Sequence, residues 1–378
     1  MNTMLRKIAS HYALVNGRLE RNIIIEVEER TIVNIEQTSS LDNRAGVEFY
    51  PGILIAGMVN AHCHLELAYL RGAIAEGSGF AGFAGAIGRV RNNFSTEERL
   101  RAASVADARM WEEGIEAVAD IANDRLVMPI KEQSPILYHT FIEFFGLNNH
   151  DIESHRAMTA GDNCSLTPHS TYSVQDEPFR TICAEGEAPL SLHFLESDDE
   201  KALYEGYGSL HDWYGRQGWS TDFLHYGSPA KRIIESIAND RRVLLVHNVE
   251  ATPSDISLIE SHFTKGASWV LCPESNRFIS RTEPPTAMLR KMGAKIAIGT
   301  DSLASARHLS MIENMRLLGD IPLDELLRWA THNGAEALGL GDRLGDLRIG
   351  TEPGIVIVEN ADLHAMRLTP ETRSRRII

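Results

Sequence analysis

Short apolar runs alternate with longer amphipathic stretches along most of the chain. The segments between several runs have the apolar spacing of helices, as at 96–112, 228–239 and 285–292. The eight runs are Ile53–Ala61, Gly114–Ile121, Pro135–Phe145, Cys164–Pro168, Pro189–Leu195, Arg242–Val246, Ser268–Leu271 and Ala294–Ile298. Strands that alternate with helices form parallel βαβ units. Eight such units predict an α/β protein built on a closed (β/α)8 TIM-like barrel.

The two ends of the chain show a different pattern. Short β-like segments precede the first run, and Asn16-Gly17 between two of them fits a hairpin turn. The tail is β-like again, with Gly354–Val358 between turns. We therefore expect both ends to form one small composite β-sandwich domain. The predicted domains are 1–56 together with 342–378 for the β domain, and 57–341 for the barrel.

A glycine-rich segment, 72–88, interrupts the alternation. It contains no lysine and lacks the spacing of a phosphate-binding loop. A mobile lid or a substrate loop is therefore expected there rather than a nucleotide-binding site.

Polar side chains follow six of the eight runs. Parallel barrels carry their catalytic residues at the C-terminal ends of the strands. Those ends hold His62 and His64, His169, His193 and Glu196, His247, the segment Cys272–Asn276, and Asp301. One buried histidine or aspartate at such a place is usually structural, but chance does not readily place all of them at strand ends. Together they indicate an active site at this end of the barrel.

His62 and His64 close an almost wholly apolar stretch. Because side chains alternate along a strand, both imidazoles point one way and Cys63 points the other. The pair alone fits a shared metal ion and two structural histidines equally well. With His193 and Asp301 it makes three imidazoles and one carboxylate, a set that suits Zn²⁺ and also Fe²⁺ or Mn²⁺. Such an ion lowers the pKa of bound water to about 7, which supplies hydroxide at neutral pH.

Composition narrows the classes of partner. The 37 Lys and Arg against 52 Asp and Glu give a net charge of −15, which argues against nucleic acid or an anionic membrane. No apolar run approaches the roughly 18–20 residues of a membrane helix. The 4 cysteines contain no Cys-x-x-Cys pair, so neither a disulfide framework nor a zinc ribbon is expected. We expect a cytoplasmic protein that acts on a small molecule.

Several stretches together resemble the amidohydrolase superfamily, and within it the cytosine/adenosine deaminase-like branch. That branch includes S-adenosylhomocysteine, methylthioadenosine, guanine and aminodeoxyfutalosine deaminases, and the s-triazine chlorohydrolases. The resemblance runs in the family's order over nearly the whole chain. The matching stretches are Pro51–Leu65, Thr167–Tyr172, His193–Glu196, His247, Cys272–Asn276 and Gly299–Ser305.

The resemblance implies a role for each of these residues. Two-metal relatives carry a bridging lysine after the fourth strand, and this chain has none there, so one divalent metal is expected. The implied metal ligands are His62, His64, His193 and Asp301. The implied catalytic residues are Glu196 as proton shuttle, His247 beside the hydroxide and the tetrahedral intermediate, and Asp301. The expected substrate contacts are His169, Glu66, Ser305, Asn276 and Arg277.

The implied reaction is hydrolytic deamination of an aminated N-heterocycle with release of ammonia. An adenosine derivative of the S-adenosylhomocysteine, methylthioadenosine or aminodeoxyfutalosine type is the expected substrate. The same site would also suit a chlorohydrolase, or another amidohydrolase acting on a triazine or a cyclic amide. A non-catalytic metal-binding or assembly protein is the alternative from another class, although such descendants usually lose ligands that this chain keeps. A homodimer is expected by analogy with related barrels.

Overall fold

A computed structural model describes residues 5–41, 45–161 and 163–378. The strands in chain order are β1 (Leu5–Val15), β2 (Arg18–Glu20), β3 (Ile23–Glu28), β4 (Thr31–Gln37), β5 (Val47–Ala56), β6 (Met58–Cys63), β7 (Ile115–Ala122), β8 (Leu137–Phe144), β9 (Cys164–Pro168), β10 (Leu190–Phe194), β11 (Val243–His247), β12 (Ser268–Leu271), β13 (Lys295–Ile298), β14 (Ile355–Glu359) and β15 (Arg373–Arg376).

Helices occupy most of the connections between the strands of the barrel. The α-helices are α1 (Gly79–Val90), α2 (Thr96–Glu112), α3 (Met128–Gln133), α4 (Ile152–Met158), α5 (Asp176–Ala184), α6 (Asp198–Tyr204), α7 (Gly208–Gln217), α8 (Pro229–Ser236), α9 (Pro253–His262), α10 (Pro273–Ser280), α11 (Thr286–Lys291), α12 (Met311–Leu317), α13 (Leu323–Arg328) and α14 (Gly334–Ala337). Short 3-10 turns lie at Leu65–Leu70, Arg91–Asn93 and Asp222–Tyr226, and a π-helical turn lies at Trp329–Asn333. Among the described residues, none of the helices has both the length and the apolar composition needed to cross a bilayer.

Strands β6 to β13 form the barrel. They pair in parallel as two four-stranded sheets, in the orders β6-β7-β8-β9 and β10-β11-β12-β13. Parallel bridges from Cys63 to Asp301 and from Ser170 to His193 join the two sheets at both seams. Each of these strands overlaps one of the predicted apolar runs, and the prediction of an α/β barrel fold is confirmed.

Side chains of the barrel strands alternate between the interior and the surrounding helices. On β7, Ala117, Ala119 and Ile121 belong to a cluster that fills the interior with residues of the other strands. Val118 and Ala122 instead pack in the larger cluster that includes side chains of α2. The active-site end of each strand is therefore supported from both sides by close-packed apolar groups.

The remaining strands form one sheet beside the barrel. Its order is β15-β14-β5-β1-β3-β4, with β2 paired to β1, so both chain ends contribute to it. Asn16 and Gly17 both have positive φ, 51° and 73°, at the predicted hairpin between β1 and β2. Strand β14 pairs antiparallel with β5, which brings the tail against the segment that leads into the barrel. The domain boundaries at 56/57 and 341/342 stay predictions.

The glycine-rich segment is only partly a loop. Helix α1 covers its second half, which the sequence interpretation expected to be a lid or substrate loop. Phe83, Ile87 and Val90 recur at helical spacing and pack against a cluster that contains Tyr69 and Leu70. This apolar stripe outweighs the low helix propensity of the glycines.

Candidate active site

Four of the predicted residues converge at one end of the barrel. The imidazole of His62 has its ring centroid 4.9 Å from that of His64 and 5.0 Å from that of His193. Asp301 reaches the same place from the end of β13, because its backbone bridges to Cys63 across the barrel seam. The four predicted metal ligands therefore lie together, and all are buried.

The ligand atoms of this cluster point at one another. Nε2 of His62 lies 3.2 Å from Nε2 of His64, and Oδ1 of Asp301 lies 3.9 Å and 3.6 Å from the same two atoms. Two nitrogens bound to one tetrahedral ion, each at about 2.0–2.1 Å, would be roughly 3.3 Å apart. One set of ligand atoms within 4.8 Å of one another comprises His62, His64 and Asp301. The donor set and its spacing therefore fit one divalent metal ion.

His247 joins the cluster from β11. Its ligand atom, with those of His62 and His193, forms a second set within 4.8 Å. Nδ1 of His247 donates to Oδ1 of Asn276 at 2.9 Å, which fixes the ring so that Nε2 faces inward. Nε2 has no hydrogen-bond partner among the described protein atoms and lies 3.6 Å from Oε1 of Glu196.

Burial keeps the histidines neutral, the form that binds metals. Burial and then the neighbouring imidazoles hold the pKa of His62 well below its usual range. Burial likewise lowers the pKa of His64 to about 4. For Asp301, burial alone would raise the pKa, but electrostatic interaction with the nearby His64 and His247 and the hydrogen bond from Ser275 lower it overall. Burial raises the pKa of Glu196 to about 7.

Asp301 is held by two serines. Its Oδ2 accepts hydrogen bonds from Ser275 Oγ at 2.5 Å and Ser305 Oγ at 2.9 Å, which leaves Oδ1 directed at the histidines. Ser305 and Asn276 were predicted to contact substrate, and that role stays a prediction. Ser305 Oγ donates to Asp301 and Asn276 Oδ1 accepts from His247, so both side chains orient residues of the site.

His169 lies against the cluster without being part of it. Its ring stacks on that of His193 at 4.4 Å between centroids, and its Nδ1 is 2.8 Å from Ser173 Oγ. The main-chain carbonyl of His169 also lies 3.2 Å from Nδ1 of His193. The ring is half-buried at the barrel mouth, in keeping with the predicted substrate contact, which no observation yet tests.

Glu66 lies in a buried acidic network. Its carboxylate accepts the main-chain N–H of Asn123 at 2.9 Å and the side-chain amide of Asn123 at 3.1 Å. The same amide donates to Oε2 of Glu143 at 3.3 Å, and Oε1 of Glu143 lies 3.7 Å from Nδ1 of His193. Burial raises the pKa of Glu66 to about 7 and that of Glu143 to about 8. The network lies beside His193 and remains a candidate for substrate contact.

The structure does not bring Arg277 to the cluster. Its guanidinium pairs with Glu283 at 2.6 Å and donates to the carbonyl of Leu317 at 3.0 Å. Helix α10 turns Ser275 and Asn276 inward, so the next residue projects to the partly exposed side of the helix. The position of Arg277 lends no support to its predicted substrate contact, which stays a prediction.

Backbone conformation at the strand ends is unusual. Leu195, His247 and Asp301 have φ of 49°, 77° and 57°, in the left-handed region that non-glycine residues rarely adopt. Each is buried, so the surrounding packing holds it in place. Such strain is common at functional sites, where it aims side chains that a regular strand would direct elsewhere.

Sequence interpretation missed Asp120 and Asn123 at the second barrel strand, and it left Glu143 at the third as either a pocket residue or a buried partner of an arginine. Asp120 and Asn123 lie at the end of β7, and Glu143 lies near the end of β8. Their signal was the same as for the histidines, namely a polar residue where an apolar run ends. Asp120 accepts the main-chain N–H of Leu65, the residue that follows the histidine pair, at 2.8 Å.

Three known proteins are informative relatives of this chain. An adenosine deaminase of Helicobacter pylori is 28% identical over 326 residues, 78% of this chain and 76% of the relative. The aminofutalosine deaminase of Helicobacter pylori, solved with methylthio-coformycin, superposes with a TM-score of 0.83 at 23% identity, covering 99% of this chain and 100% of that one. A mutant atrazine chlorohydrolase of Arthrobacter aurescens, solved with zinc and atraton, gives 0.73 at 18% identity, with 98% and 92% covered.

A match to one protein family also spans most of the chain. The profile of the amidohydrolase family covers residues 53–373, from the strand before the histidine pair to the start of the last strand. This range contains every residue of the cluster described above. The resemblance seen in the sequence is thereby confirmed, and the chain belongs to the amidohydrolase family.

Proposed function

We propose that this protein is a metal-dependent hydrolytic deaminase of an aminated N-heterocycle, with an adenosine derivative as its substrate. The observation that carries the proposal is the carboxyl group of Glu196, 3.6 Å from the unpartnered Nε2 of His247, beside a cluster suited to one divalent metal. A proton donor and a polar group thus stand next to the place where water would be activated. The relatives named as adenosine and aminofutalosine deaminases support this choice of substrate class.

The ion we propose is Zn²⁺, held by His62, His64, His193 and Asp301. Imidazole nitrogen and carboxylate oxygen are common zinc ligands, and the distances between the ligand atoms suit a tetrahedral site. Zinc in the related chlorohydrolase structure supports the same choice. When bound, the ion would supply Lewis-acid activation of water near neutral pH.

Two side chains carry out the proton transfers, and a third acts at the reacting centre. The free Oδ1 of Asp301 faces the histidines and accepts a proton from the attacking water. Glu196 donates a proton to the ring nitrogen next to the amino-bearing carbon, which makes that carbon electrophilic. Nε2 of His247 is the unprotonated nitrogen of a ring whose Nδ1–H donates to Asn276, so it accepts a hydrogen bond from the attacking water and from the hydroxyl group of the tetrahedral intermediate and orients both. Asp301 then passes its proton to the amino group, the bond from the ring carbon to this nitrogen breaks, ammonia leaves, and the hydroxyl proton of the intermediate returns to Glu196.

Removal of chloride or hydrolysis of a cyclic amide at the same site is the second candidate. The similarity to a chlorohydrolase structure, at 18% identity, does not assign a leaving group to this protein. The position of Glu196 favours substrates with a ring nitrogen to protonate. A non-catalytic assembly role is disfavoured because the full ligand set lies together.

An ammonia-release screen tests the proposal. Purified zinc-loaded protein would be assayed with adenosine, methylthioadenosine, S-adenosylhomocysteine, aminodeoxyfutalosine, guanine, cytosine and pterins, and with a chlorinated triazine for chloride release. We expect ammonia from at least one adenosine derivative. Chloride from the triazine with no ammonia from any heterocycle would favour the second candidate. Protein that takes up no metal at neutral pH would revive the non-catalytic alternative. The homodimer and the cytoplasmic location stay predictions.

A further inference from the structure

A buried ion pair lies directly behind the strand end that carries the histidine pair. Asp120 of β7 is the parallel register partner of Cys63, the residue between the two histidines. Cys63 packs in the cluster that includes α2 side chains, and the side chain of Asp120 is fully buried. Asp120 therefore lies on the side of the barrel wall away from substrate and cannot take part in the reaction directly.

The carboxylate of Asp120 holds the main chain next to a predicted ligand. Its Oδ1 accepts the N–H of Leu65 at 2.8 Å. Leu65 begins a short 3-10 turn whose N-cap residue is His64, and the His64 side chain makes no capping hydrogen bond. An N-terminal amide of a helical turn needs an acceptor, and here the neighbouring strand supplies it.

Lys131 fixes the position of this carboxylate. Its Nζ pairs with Oδ2 of Asp120 and lies 3.2 Å from Oγ1 of Thr140, and the side chains of Lys131 and Asp120 are only 3% and 0% exposed. Burying two charges costs desolvation free energy, and an apolar pair of similar volume often serves stability as well. An apolar pair could not present an oxygen to the amide of Leu65. The hydrogen bond is the feature that packing alone would not replace.

We propose that Asp120 is a positioning residue for the metal site. Through the amide of Leu65 it fixes the backbone of His64, and this hydrogen bond strengthens the affinity of the cluster for its ion. Partners that orient metal ligands commonly contribute 10- to 100-fold to metal affinity. The inference rests on the metal-binding part of the proposed function and is independent of the reaction.

Two double variants separate the hydrogen bond from the charges. D120N/K131M and D120L/K131M are both neutral at this place, but only the first retains an oxygen for Leu65. The dissociation constant for Zn²⁺ would be measured by competition with a chromophoric chelator. We expect about the wild-type value for D120N/K131M and about 10- to 100-fold weaker binding for D120L/K131M. Equal affinities in the two variants would overturn the proposal.

A second buried ion pair on the same strand provides the control. Glu116 of β7 pairs with Arg376 at 2.5 Å, with side chains 7% and 9% exposed, at the opposite end of the strand from the cluster. E116Q should lower the free energy of unfolding and leave zinc affinity unchanged. If E116Q weakened zinc binding as much as D120L/K131M, general destabilisation would explain both and the inference would be wrong.

The test distinguishes a loss of zinc affinity from a failure to fold and from a loss of activity. Circular dichroism and a denaturant titration would confirm that each variant is folded before zinc is added. If the leucine variant does not fold, D120A/K131M makes the same comparison with a smaller side chain. Zinc binding without ammonia release from any heterocycle would overturn the proposed reaction alone. Equal zinc affinities in an active enzyme would overturn the role of Asp120 alone.

Discussion

Individual residues of the site differ in how firmly the protein holds them. His247 and Asp301 each have a dedicated partner, Asn276 in one case and two serines in the other. Nδ1 of His62 and of His64 has no hydrogen-bond partner within the described part of the chain, so packing and the backbone orient these rings. The predicted ligands came directly from strand ends in the sequence. Asn276 and Ser305 were named there too, but their actual contacts depend on how helix α10 and the segment after β13 pack against the strand ends.

Replacement of Glu196 by glutamine tests the proton donor. E196Q keeps the shape and removes the acidic proton, so we expect kcat to fall by about 10²- to 10⁴-fold. Metal content should stay at the wild-type level, because Glu196 is not a proposed ligand. The control is E187Q, at an exposed position just before β10, the strand that Glu196 follows. Parallel loss of metal and activity in E196Q would contradict the assigned role.

Replacement of Asn276 tests the orientation of His247. N276L removes the acceptor for Nδ1 of His247, and we expect kcat to fall by about 10- to 100-fold with a smaller change in KM. N276D retains an acceptor oxygen and should keep more of the activity. Steady-state kinetics and metal analysis of both variants provide the measurement. Wild-type kcat in N276L would show that the hydrogen bond has no part in catalysis.

A helix was predicted correctly where the sequence carried both an amphipathic pattern and a signal for the helix start. Helix α2 has the bounds Thr96–Glu112 that the amphipathic pattern predicted. Its start is fixed by a capping box, in which Ser95 and Glu98 satisfy each other's backbone N–H groups. Helix α1 was not predicted because its glycines suggested a loop, whereas its apolar stripe packs on the barrel.

The capping box of α2 should contribute to the stability of the protein. S95A removes the side-chain acceptor for the N–H of Glu98, so we expect the free energy of unfolding to fall by about 1 kcal/mol. S104A, at an exposed position within the same helix, should change it by less than about 0.5 kcal/mol. Urea denaturation monitored by circular dichroism measures both. Equal effects of the two substitutions would argue against a role for the cap.

The molecule as a whole depends on the junction between the barrel and the outer sheet. Gly114, just before β7, has φ of 92°, and a Cβ there would collide with Val356 of β14. Gly57, between β5 and β6, leaves no room for a side chain either, since a Cβ would lie 2.6 Å from that of Glu116. The close approach of the two parts thus depends on glycines at the crossing points.

This junction predicts opposite effects for two glycine substitutions. G114A should lower the free energy of unfolding by about 2 kcal/mol or more, because it adds backbone strain and a steric clash. G88A, in α1 with no atom within 4 Å of the added Cβ, should be neutral or raise it by about 0.5–1 kcal/mol. Denaturant titration distinguishes them. A G114A variant as stable as the wild type would show that the junction adapts.

Removal of the metal ion should lower the stability of the whole protein. An ion that binds only the folded state adds about 4 kcal/mol of stability at a thousandfold excess over its Kd. We therefore expect a chelator to lower the Tm of the wild type and added Zn²⁺ to restore it. An H62A/H64A variant should melt at one temperature under both conditions. An unchanged Tm in the wild type would argue against a bound ion.

The sequence by itself determined the strand ends and the residues that lie there. Alternation along a strand is local, and the rule that parallel barrels gather their C-terminal strand ends is general, so His62, His64, His193 and Asp301 could be grouped without coordinates. Tertiary structure decided the contacts around them. Asp120 accepts a hydrogen bond from the main-chain amide of Leu65, 55 residues away in sequence. The side chain of Arg277 points outward, although that of the preceding Asn276 points inward. Such choices depend on how distant elements pack, and periodicity carries no information about that packing.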